Sequence, residues 1–204
     1  MNKVGCVLLA GGAGRRMGKQ NKLNMPLGAS SFGEIIKQEL RTLTEKCYIS
    51  VAEYPYELDD DFLVVIDAIK DDNGSFIGPM GGIYSTLKQA LIDGLKGVFV
   101  VSCDMPYFKG EIFEKLLPYI DNKDVVLLKS SDGHIHYTCG YYSTNTLDAF
   151  LDMIIAKKYR IRDIIDECDS LIIDSRQLGI NDHLFFNVND REQYEKLLIE
   201  NGNF

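Results

Sequence analysis

Short apolar runs alternate with amphipathic stretches along most of this chain, and the alternation restricts the possible folds more than any other feature. Residues 3–9, KVGCVLL, barely alternate between apolar and polar side chains, which is typical of a strand buried on both faces. Residues 32–43 place apolar side chains on one helical stripe, and Ser31 with Glu34 forms a capping-box pattern at its start. This β/α order predicts a three-layer α/β/α, Rossmann-like fold with a mostly parallel sheet.

The remaining predicted elements follow the same order. Further strands are predicted at residues 47–52, 62–66, 97–103, 124–129, 135–142 and 170–174. Further helices are predicted from about residue 83, at 111–120, at 144–156, at 161–167 and from about residue 190. Since no repeat, low-complexity tract or linker interrupts the chain, a single domain spanning residues 1–204 is expected.

The cysteine and histidine patterns indicate a cytoplasmic protein without a disulfide framework or a zinc site. The five cysteines are scattered, odd in number and form no C-x-x-C pair, which is typical of reduced thiols. His134, His136 and His183 form no zinc-like cluster with them and are expected in loops or at the surface. No apolar run reaches the ~18 residues of a membrane span, so no membrane contact is expected.

The N-terminal segment carries a positive charge that the rest of the chain does not share. The chain has 22 Lys and Arg residues against 30 Asp and Glu residues, for a formal charge of −8. Residues 1–33 nevertheless contain basic residues and no acidic one, and most of these basic residues follow the glycines of residues 8–22, LLAGGAGRRMGKQNK. One basic patch on an acidic protein indicates a small anionic ligand, whereas a nucleic-acid binder would carry a broader basic surface.

Three marked segments follow predicted strands, at residues 10–22, 78–82 and 102–106. In α/β sheets of this kind, ligands bind beyond the carboxyl ends of the strands. The three segments are therefore expected to form one binding site. Residues 78–82 are expected to be a glycine loop whose backbone approaches the ligand closely.

The first of these segments matches neither of two common nucleotide motifs. A Walker A loop, G-x-x-x-x-G-K-[ST], would need glycine at Ala13 and serine or threonine at Gln20. A dinucleotide fingerprint, G-x-G-x-x-G, would need its third glycine at Met17, and no acidic residue follows ~20 residues later at the end of a second strand. P-loop hydrolases and Rossmann dehydrogenases are therefore poor candidates.

The pattern L-A-G-G-x-x-x-R-M-G-x-x-x-K, from Leu9 to Lys22, resembles the signature of nucleotidyltransferases with a dinucleotide-binding-like fold. It is most similar to that of the MobA-like molybdenum cofactor guanylyltransferases. Three later segments resemble further motifs of that family, namely GPMGGI (78–83), SCDMP (102–106) and NVN (187–189). The resemblance covers nearly the whole chain in the family's order, and it implies a fold of the nucleotide-diphospho-sugar transferase type.

The resemblance implies that GMP is transferred from GTP to the phosphate of molybdopterin, with Mg²⁺ and with release of pyrophosphate. Arg16, Lys22 and Asp104 would be the catalytic residues, because the two cations neutralise the triphosphate and Asp104 holds the magnesium ion. The other implied nucleotide-binding residues are Leu9, Ala10, Gly11, Gly12, Asp67, Gly78, Pro79, Gly82, Asn187 and Asn189. Asn189 could equally cap the last helix, and Asp67 could equally be a plain turn residue.

The implied partners are the small molecules GTP and molybdopterin, with other cofactor-assembly proteins as further candidates and without nucleic acid. The chain departs from the family pattern at Asn21, where Asp is usual, and at Glu53, where an Asn often helps hold guanine. The second departure affects guanine selectivity more than catalysis.

Two alternatives stay open, a cytidylyltransferase acting on molybdopterin or on a sugar or alcohol phosphate, and a noncatalytic nucleotide-binding regulatory domain. L-A-G-G instead of L-A-A-G favours guanylyl transfer, and Arg16, Lys22 and Asp104 together argue against a regulatory domain.

Overall fold

The described part of the chain is built around a central β-sheet. The computed structural model describes residues 3–11, 22–52 and 62–202. The strands are β1 (Val4–Leu9), β2 (Pro26–Leu27), β3 (Ser30–Ser31), β4 (Cys47–Val51), β5 (Leu63–Ile66), β6 (Gly97–Ser102), β7 (Val125–Lys129), β8 (Ile135–Ser143) and β9 (Ser170–Asp174). The α-helices are α1 (Phe32–Arg41), α2 (Pro79–Ile92), α3 (Glu111–Leu116), α4 (Leu147–Ile155), α5 (Ile161–Glu167) and α6 (Arg191–Glu200).

The seven-stranded sheet has the order β5-β4-β1-β6-β8-β7-β9, while β2 and β3 form a separate hairpin. All neighbouring strands of the large sheet are parallel except β8, which runs antiparallel to both β6 and β7. The mostly parallel sheet predicted from the sequence is therefore confirmed. Strand β1 lies in its interior and all six of its residues are buried, as its continuous apolar run requires.

Helices cover both faces of the sheet and complete three layers. Apolar side chains of α1 and α3 form one core with alternate residues of β1, among them Cys6 and Leu8. Apolar side chains of α2, α4 and α5 form the second core with the other residues of β1, Val7 and Leu9. Helix α6 packs beside the start of α1, where Leu197 and Phe32 belong to a third, smaller cluster.

The start of helix α1 follows the sequence pattern. Ser31 has an extended backbone, and its Oγ accepts a hydrogen bond from the backbone N–H of Glu34 at 3.3 Å. The predicted cap is therefore present, although the Glu34 carboxylate pairs with Arg41 at 2.7 Å.

Helix α2 begins at Pro79, four residues before the predicted start near residue 83. Gly78 precedes it with φ 77° and ψ −150°, a conformation that glycine adopts readily. Proline suits the first helical position because its missing N–H would have no partner there. The predicted glycine loop at 78–82 was therefore wrong beyond Gly78.

Close contact with the sheet explains why glycines occur inside the first turn of α2. A Cβ at Gly82 would lie 2.8 Å from Ser50 Oγ, and a Cβ at Gly81 would lie 2.5 Å from Asp67 Oδ1. The two glycines bring the start of the helix against β4 and the end of β5. The two glycines let the helix approach the sheet closely. A pattern of glycines in the sequence does not distinguish this role from that of a flexible loop.

All five cysteines are free thiols, as predicted, and four of them are buried. Within residues 3–11, 22–52 and 62–202, none of the helices combines the length and the apolar character that crossing a membrane would need.

Candidate active site

The carboxyl ends of strands β1, β4, β5 and β6 lie along one edge of the sheet, which we name the carboxyl edge. The residue after β1, Ala10, donates its N–H to Ser50 O at 2.8 Å, and the N–H of Cys103, after β6, bonds Leu9 O at 3.1 Å. Asp67 follows β5, and its N–H bonds Val51 O at 2.8 Å. The first residues beyond these strands therefore lie at one level, as the expected convergence of the marked segments requires.

Lys22 and Asp104 meet at this edge. Lys22 Nζ lies 3.3 Å from Asp104 Oδ2, and the side chains are only 17% and 19% exposed. Although 82 positions separate the two residues in the chain, the structure brings them together as an ion pair. The Lys22–Asp104 pair joins two of the three predicted catalytic residues.

A single-turn 3-10 helix, Lys22–Asn24, carries the lysine to the carboxyl edge. Its central residue, Leu23, is buried in the core beneath α1. A Cβ at Gly33 of α1 would lie 2.5 Å from the Leu23 side chain, so the glycine makes room for it. Burial of the leucine fixes the turn and thereby the base of the lysine side chain.

Asp104 lies two residues beyond β6, in the turn that contains Met105 and Pro106. Its backbone carbonyl accepts a hydrogen bond from Val188 N–H at 2.9 Å, which ties the segment before α6 to the site. Its Oδ1 is buried and has no hydrogen-bond partner in the described chain. Because a buried carboxylate oxygen without a partner is costly, this oxygen could accept a cation.

Among the described residues, Asp104 belongs to no cluster of acids and thiols that could hold a metal ion. Burial, with the negative charge of Asp104 adding to it, raises the pKa of the Cys103 thiol to about 12, so the thiol stays protonated at neutral pH. Within the described ranges no group of three or more His, Cys, Asp or Glu side chains is arranged to hold a metal ion. A single carboxylate is the arrangement that suits Mg²⁺ bound mainly by water and phosphate.

Asn187 and Asn189 flank Val188 and so lie beside Asp104. The Asn187 amide nitrogen donates to Phe185 O at 3.0 Å, while the exposed Asn189 donates its backbone N–H to the Gln193 side chain at 2.7 Å. The cap of α6 is Asp190, whose carboxylate accepts from Gln193 N–H at 2.9 Å. The alternative that Asn189 caps this helix is therefore wrong.

Leu9, Ala10 and Gly11 lie at the end of β1, next to the pair. The Leu9 side chain is buried in the core beside α2, so only its backbone reaches the carboxyl edge. Gly11 is half-buried, and a Cβ there would lie 3.4 Å from the backbone of Ala52. These residues form a backbone surface at the centre of the edge.

Asp67, Gly78 and Pro79 lie towards the β5 end of the edge, three strand spacings, or roughly 14 Å, from β6. Gly82 lies over the neighbouring β4, beside Ser50. Asp67 is 4% exposed, and its Oδ1 accepts from Ile69 N–H at 3.1 Å. Burial raises the pKa of Asp67, and that hydrogen bond opposes the shift. The predicted nucleotide residues therefore fall into two groups along the edge.

Two of the predicted site residues, Gly12 and Arg16, and both departures from the family pattern, Asn21 and Glu53, lie outside the described residues. Their predicted roles stay predictions.

One pair of polar side chains at the same edge was not predicted. Ser130 follows β7, and its Oγ lies 2.8 Å from His136 Nε2 on β8, with the two residues 6% and 8% exposed. The His136 ring stacks on Phe185 with centroids 4.2 Å apart. The expectation of a loop or surface position is wrong for His136, because irregular pairing between β7 and β8 accompanies its burial.

The Ser130–His136 pair lacks the arrangement of a hydrolase triad. Asp182 is the nearby acid, but its carboxylate accepts from Ser131 N–H at 2.8 Å and from Ser175 Oγ at 2.6 Å. Burial lowers the pKa of His136 to about 4, and His134 acts in the same direction. The pair is therefore neutral at pH 7.

Comparison with known proteins gives one family for most of the chain. The family model described as "MobA-like NTP transferase domain" matches residues 6–171. A protein of Geobacillus sp. named "Probable molybdenum cofactor guanylyltransferase" is 27% identical over 200 residues, which cover 97% of this chain and all of that protein. The "Molybdenum cofactor guanylyltransferase" of Campylobacter jejuni subsp. doylei is 24% identical, with 98% of each chain covered.

Solved structures show the same fold. The crystal structure of "Molybdopterin-guanine dinucleotide biosynthesis protein A" from Archaeoglobus fulgidus has a TM-score of 0.76 and 17% identity. The similarity covers 98% of this chain and 99% of that one. The strand order and this similarity confirm the predicted nucleotide-diphospho-sugar transferase type of fold.

Proposed function

The chain belongs to the MobA-like NTP transferase family, and on that premise we propose that it transfers GMP from GTP to the phosphate of molybdopterin, releasing pyrophosphate. The names of the relatives support guanylyl transfer to the molybdenum cofactor. The five free thiols support our placing of this reaction in the cytoplasm.

The observation that carries this proposal is the Lys22–Asp104 pair with its unpartnered carboxylate oxygen. Mg²⁺ takes oxygen ligands and keeps several waters, so one buried aspartate oxygen suits it. We propose Asp104 as its protein ligand. When bound there, the ion would neutralise charge that develops on phosphate oxygens during transfer.

Lys22 balances the charge of Asp104 in the ligand-free protein. A triphosphate at the carboxyl edge offers the ammonium group more negative charge than a single carboxylate does. We propose that Lys22 then donates hydrogen bonds to phosphate oxygens, which releases Asp104 Oδ2 as well as Oδ1 for a cation. The lysine would thus change partners without having to cross a large distance.

The described chain needs to supply no nucleophile for this reaction. The acceptor phosphate is already anionic, so transfer depends on positioning and on electrostatic stabilisation. The protonated state of Cys103 agrees with this, because a neutral thiol beside the site neither attacks nor competes for the cation. Backbone groups of Ala10 and Gly11, between the β5 and β6 ends of the edge, would support the polyphosphate.

The test is pyrophosphate release from each of the four nucleoside triphosphates, with Mg²⁺ and molybdopterin. We expect release from GTP that depends on both molybdopterin and Mg²⁺. Release from CTP alone would show a cytidylyltransferase. Tight GTP binding by calorimetry without any turnover would show a regulatory domain and would contradict the proposal.

A further inference from the structure

Ser130 and His136 form a buried polar pair that has no role in the proposed nucleotide binding. Both residues are more than nine-tenths buried, and both lie beyond the end of β7 or at the start of β8, on the carboxyl edge of the sheet. Burying two polar side chains is costly unless every polar atom has a partner. The second ring nitrogen of His136 makes no hydrogen bond to the described residues, and it indicates what the pair can bind.

The hydrogen bonds of Ser130 favour one of the two neutral tautomers of His136. The Ser130 hydroxyl donates its single proton to His134 O at 3.2 Å. This arrangement leaves the Ser130 oxygen as the acceptor in the 2.8 Å contact with His136 and favours the tautomer with the proton on Nε2. In the neutral ring, Nδ1 then carries a lone pair and is a hydrogen-bond acceptor.

His136 Nδ1 is open to a ligand. It makes no hydrogen bond within the described chain, and it is not among the buried polar atoms of that chain that lack a partner, so solvent reaches it. The two nitrogens lie on opposite sides of the imidazole ring. Because Nε2 is held by Ser130 and Phe185 stacks on the plane of the ring, the ring has one fixed orientation, and Nδ1 is the nitrogen left for a ligand.

Strand β6 leads to Asp104, so His136 and the Lys22–Asp104 pair share one region. Val101 of β6 pairs with Cys139 of antiparallel β8. Asp104 comes three residues after Val101 and His136 three residues before Cys139, so both lie beyond that pair, at the carboxyl edge. One segment also connects them, because Phe185 stacks on His136 and Val188 N–H bonds Asp104 O.

We infer that His136 is a specificity-determining residue for the acceptor, and that its free Nδ1 accepts a hydrogen bond from an N–H or O–H group of the acceptor molecule. The inference rests on the proposed function, since the acceptor phosphate must lie at the Lys22–Asp104 pair. The inference specifies the part of the acceptor molecule to which that phosphate is attached. This part is a neutral group with a hydrogen-bond donor. The carboxylate of Asp182, held beside Ser131 and Ser175, disfavours an anionic group at this position.

Three substitutions separate the two ring nitrogens. His136→Asn places an acceptor oxygen near the Nδ1 position, His136→Gln keeps only a donor near the Nε2 position, and His136→Phe keeps only the ring stacked on Phe185. For molybdopterin as the acceptor, we expect KM to rise about tenfold in the Gln and Phe variants and less than about threefold in the Asn variant, as loss of one buried hydrogen bond predicts. The Kd for GTP and kcat should stay within about twofold.

The measurements are acceptor KM and kcat from pyrophosphate release, GTP affinity by calorimetry, Tm, and direct binding of molybdopterin to the GTP-free protein. Equal acceptor KM in all three variants and wild type would overturn the inference while leaving the proposed function intact. A matching loss of Tm, kcat and GTP affinity would show a merely structural residue and would also overturn it. If wild type binds molybdopterin without turnover, weaker binding by the Gln and Phe variants supports the inference although the proposed function fails. If wild type does not bind it, both fail.

Discussion

Two pairs of side chains lie at the carboxyl edge of the same sheet, and they differ in charge. Lys22 and Asp104 form an ion pair at 3.3 Å that leaves one carboxylate oxygen without a partner among the described residues. Ser130 and His136 form a neutral pair at 2.8 Å, and the second ring nitrogen makes no hydrogen bond to the part of the chain that the structure describes. The charged pair can exchange its partners for a cation and a polyphosphate, whereas the neutral pair can only add a hydrogen-bond donor.

This difference divides the edge into two halves with different tasks. The half formed by β5, β4, β1 and β6 contains the predicted nucleotide residues, backbone surfaces and the start of α2. The half formed by β8, β7 and β9 is joined antiparallel to the first and offers neutral or locally satisfied polar groups. Charge would thus be concentrated where phosphates react, and shape and hydrogen bonding would select the acceptor.

The largest expected effect is on the charged pair. Lys22→Ala and Asp104→Ala should each lower kcat for pyrophosphate release by ~100-fold or more, because each removes a preorganised charge partner of the reacting phosphates. Their matched controls are Lys123→Ala and Asp169→Ala, which break an exposed ion pair of 2.6 Å at the opposite edge of the sheet. The kcat of the two controls should stay within about twofold of wild type. A fall in kcat of only a few-fold in the Lys22 or Asp104 variant would contradict the assignment of these residues as catalytic.

The neutral pair should be visible in the pH dependence of stability. The folded protein holds the pKa of His136 at about 4, below its ordinary value of 6.5, so between these values the unfolded chain binds more protons. Stability from the neutral ring is therefore complete above pH 6.5 and is lost as the pH falls towards 4. Allowing for partial solvation of the ring, we expect a loss of roughly 2 kcal/mol.

The free energy of unfolding, from urea titrations at pH 7 and pH 4.5, measures this effect. His136→Asn should remove it, because asparagine does not titrate. Carboxylates such as Asp174, whose pKa is lowered to about 2 by its hydrogen bond with Arg176, titrate in both proteins and so cancel in the difference. An equal loss in wild type and variant would show that the histidine does not hold a neutral ring in the fold.

Only one of the two pairs could be predicted from the sequence, and the reason is physical. Lys22 follows a glycine segment and Asp104 follows a strong strand, so the rule that parallel strands end at one edge brings them together. His136 lies in a run of mixed polarity, and its burial depends on Ser130 from across a turn and on Phe185 from a distant segment. No local pattern marks such a contact.

The start of α2 shows the same limit within the nucleotide half. Glycine lowers helix propensity, so the residues after Gly78 favour a loop when judged locally. In the fold, Gly81 and Gly82 are helical because the helix must approach Asp67 and Ser50 without Cβ atoms. Tertiary contact therefore overrides local preference at both misjudged positions, whereas the strands and the cap of α1 follow from local patterns.

A smaller effect should appear in metal binding by the nucleotide-free protein. Lys22→Gln removes the ammonium group that competes for Asp104, so Mn²⁺, used as a probe for Mg²⁺, should bind ~10-fold more tightly. Electron paramagnetic resonance of free Mn²⁺ during titration measures this. Adding Asp104→Asn to the lysine variant should abolish the gain. Unchanged Mn²⁺ affinity in Lys22→Gln would show that Lys22 does not compete with a cation for Asp104.

The smallest effect should come from the partner of the histidine. Ser130→Ala leaves His136 and its stacking on Phe185 in place, but it removes the oxygen that keeps the proton on Nε2. Part of the population can then carry the proton on Nδ1, where it would repel an N–H or O–H donor, so the acceptor KM should rise only ~3-fold. The matched control is Ser170→Ala at the start of β9, on the opposite edge of the sheet, whose hydroxyl donates to Ile165 O at 3.0 Å. An increase equal to that of His136→Phe would mean that the serine itself binds the acceptor, and the neutral pair would then act through two atoms instead of one.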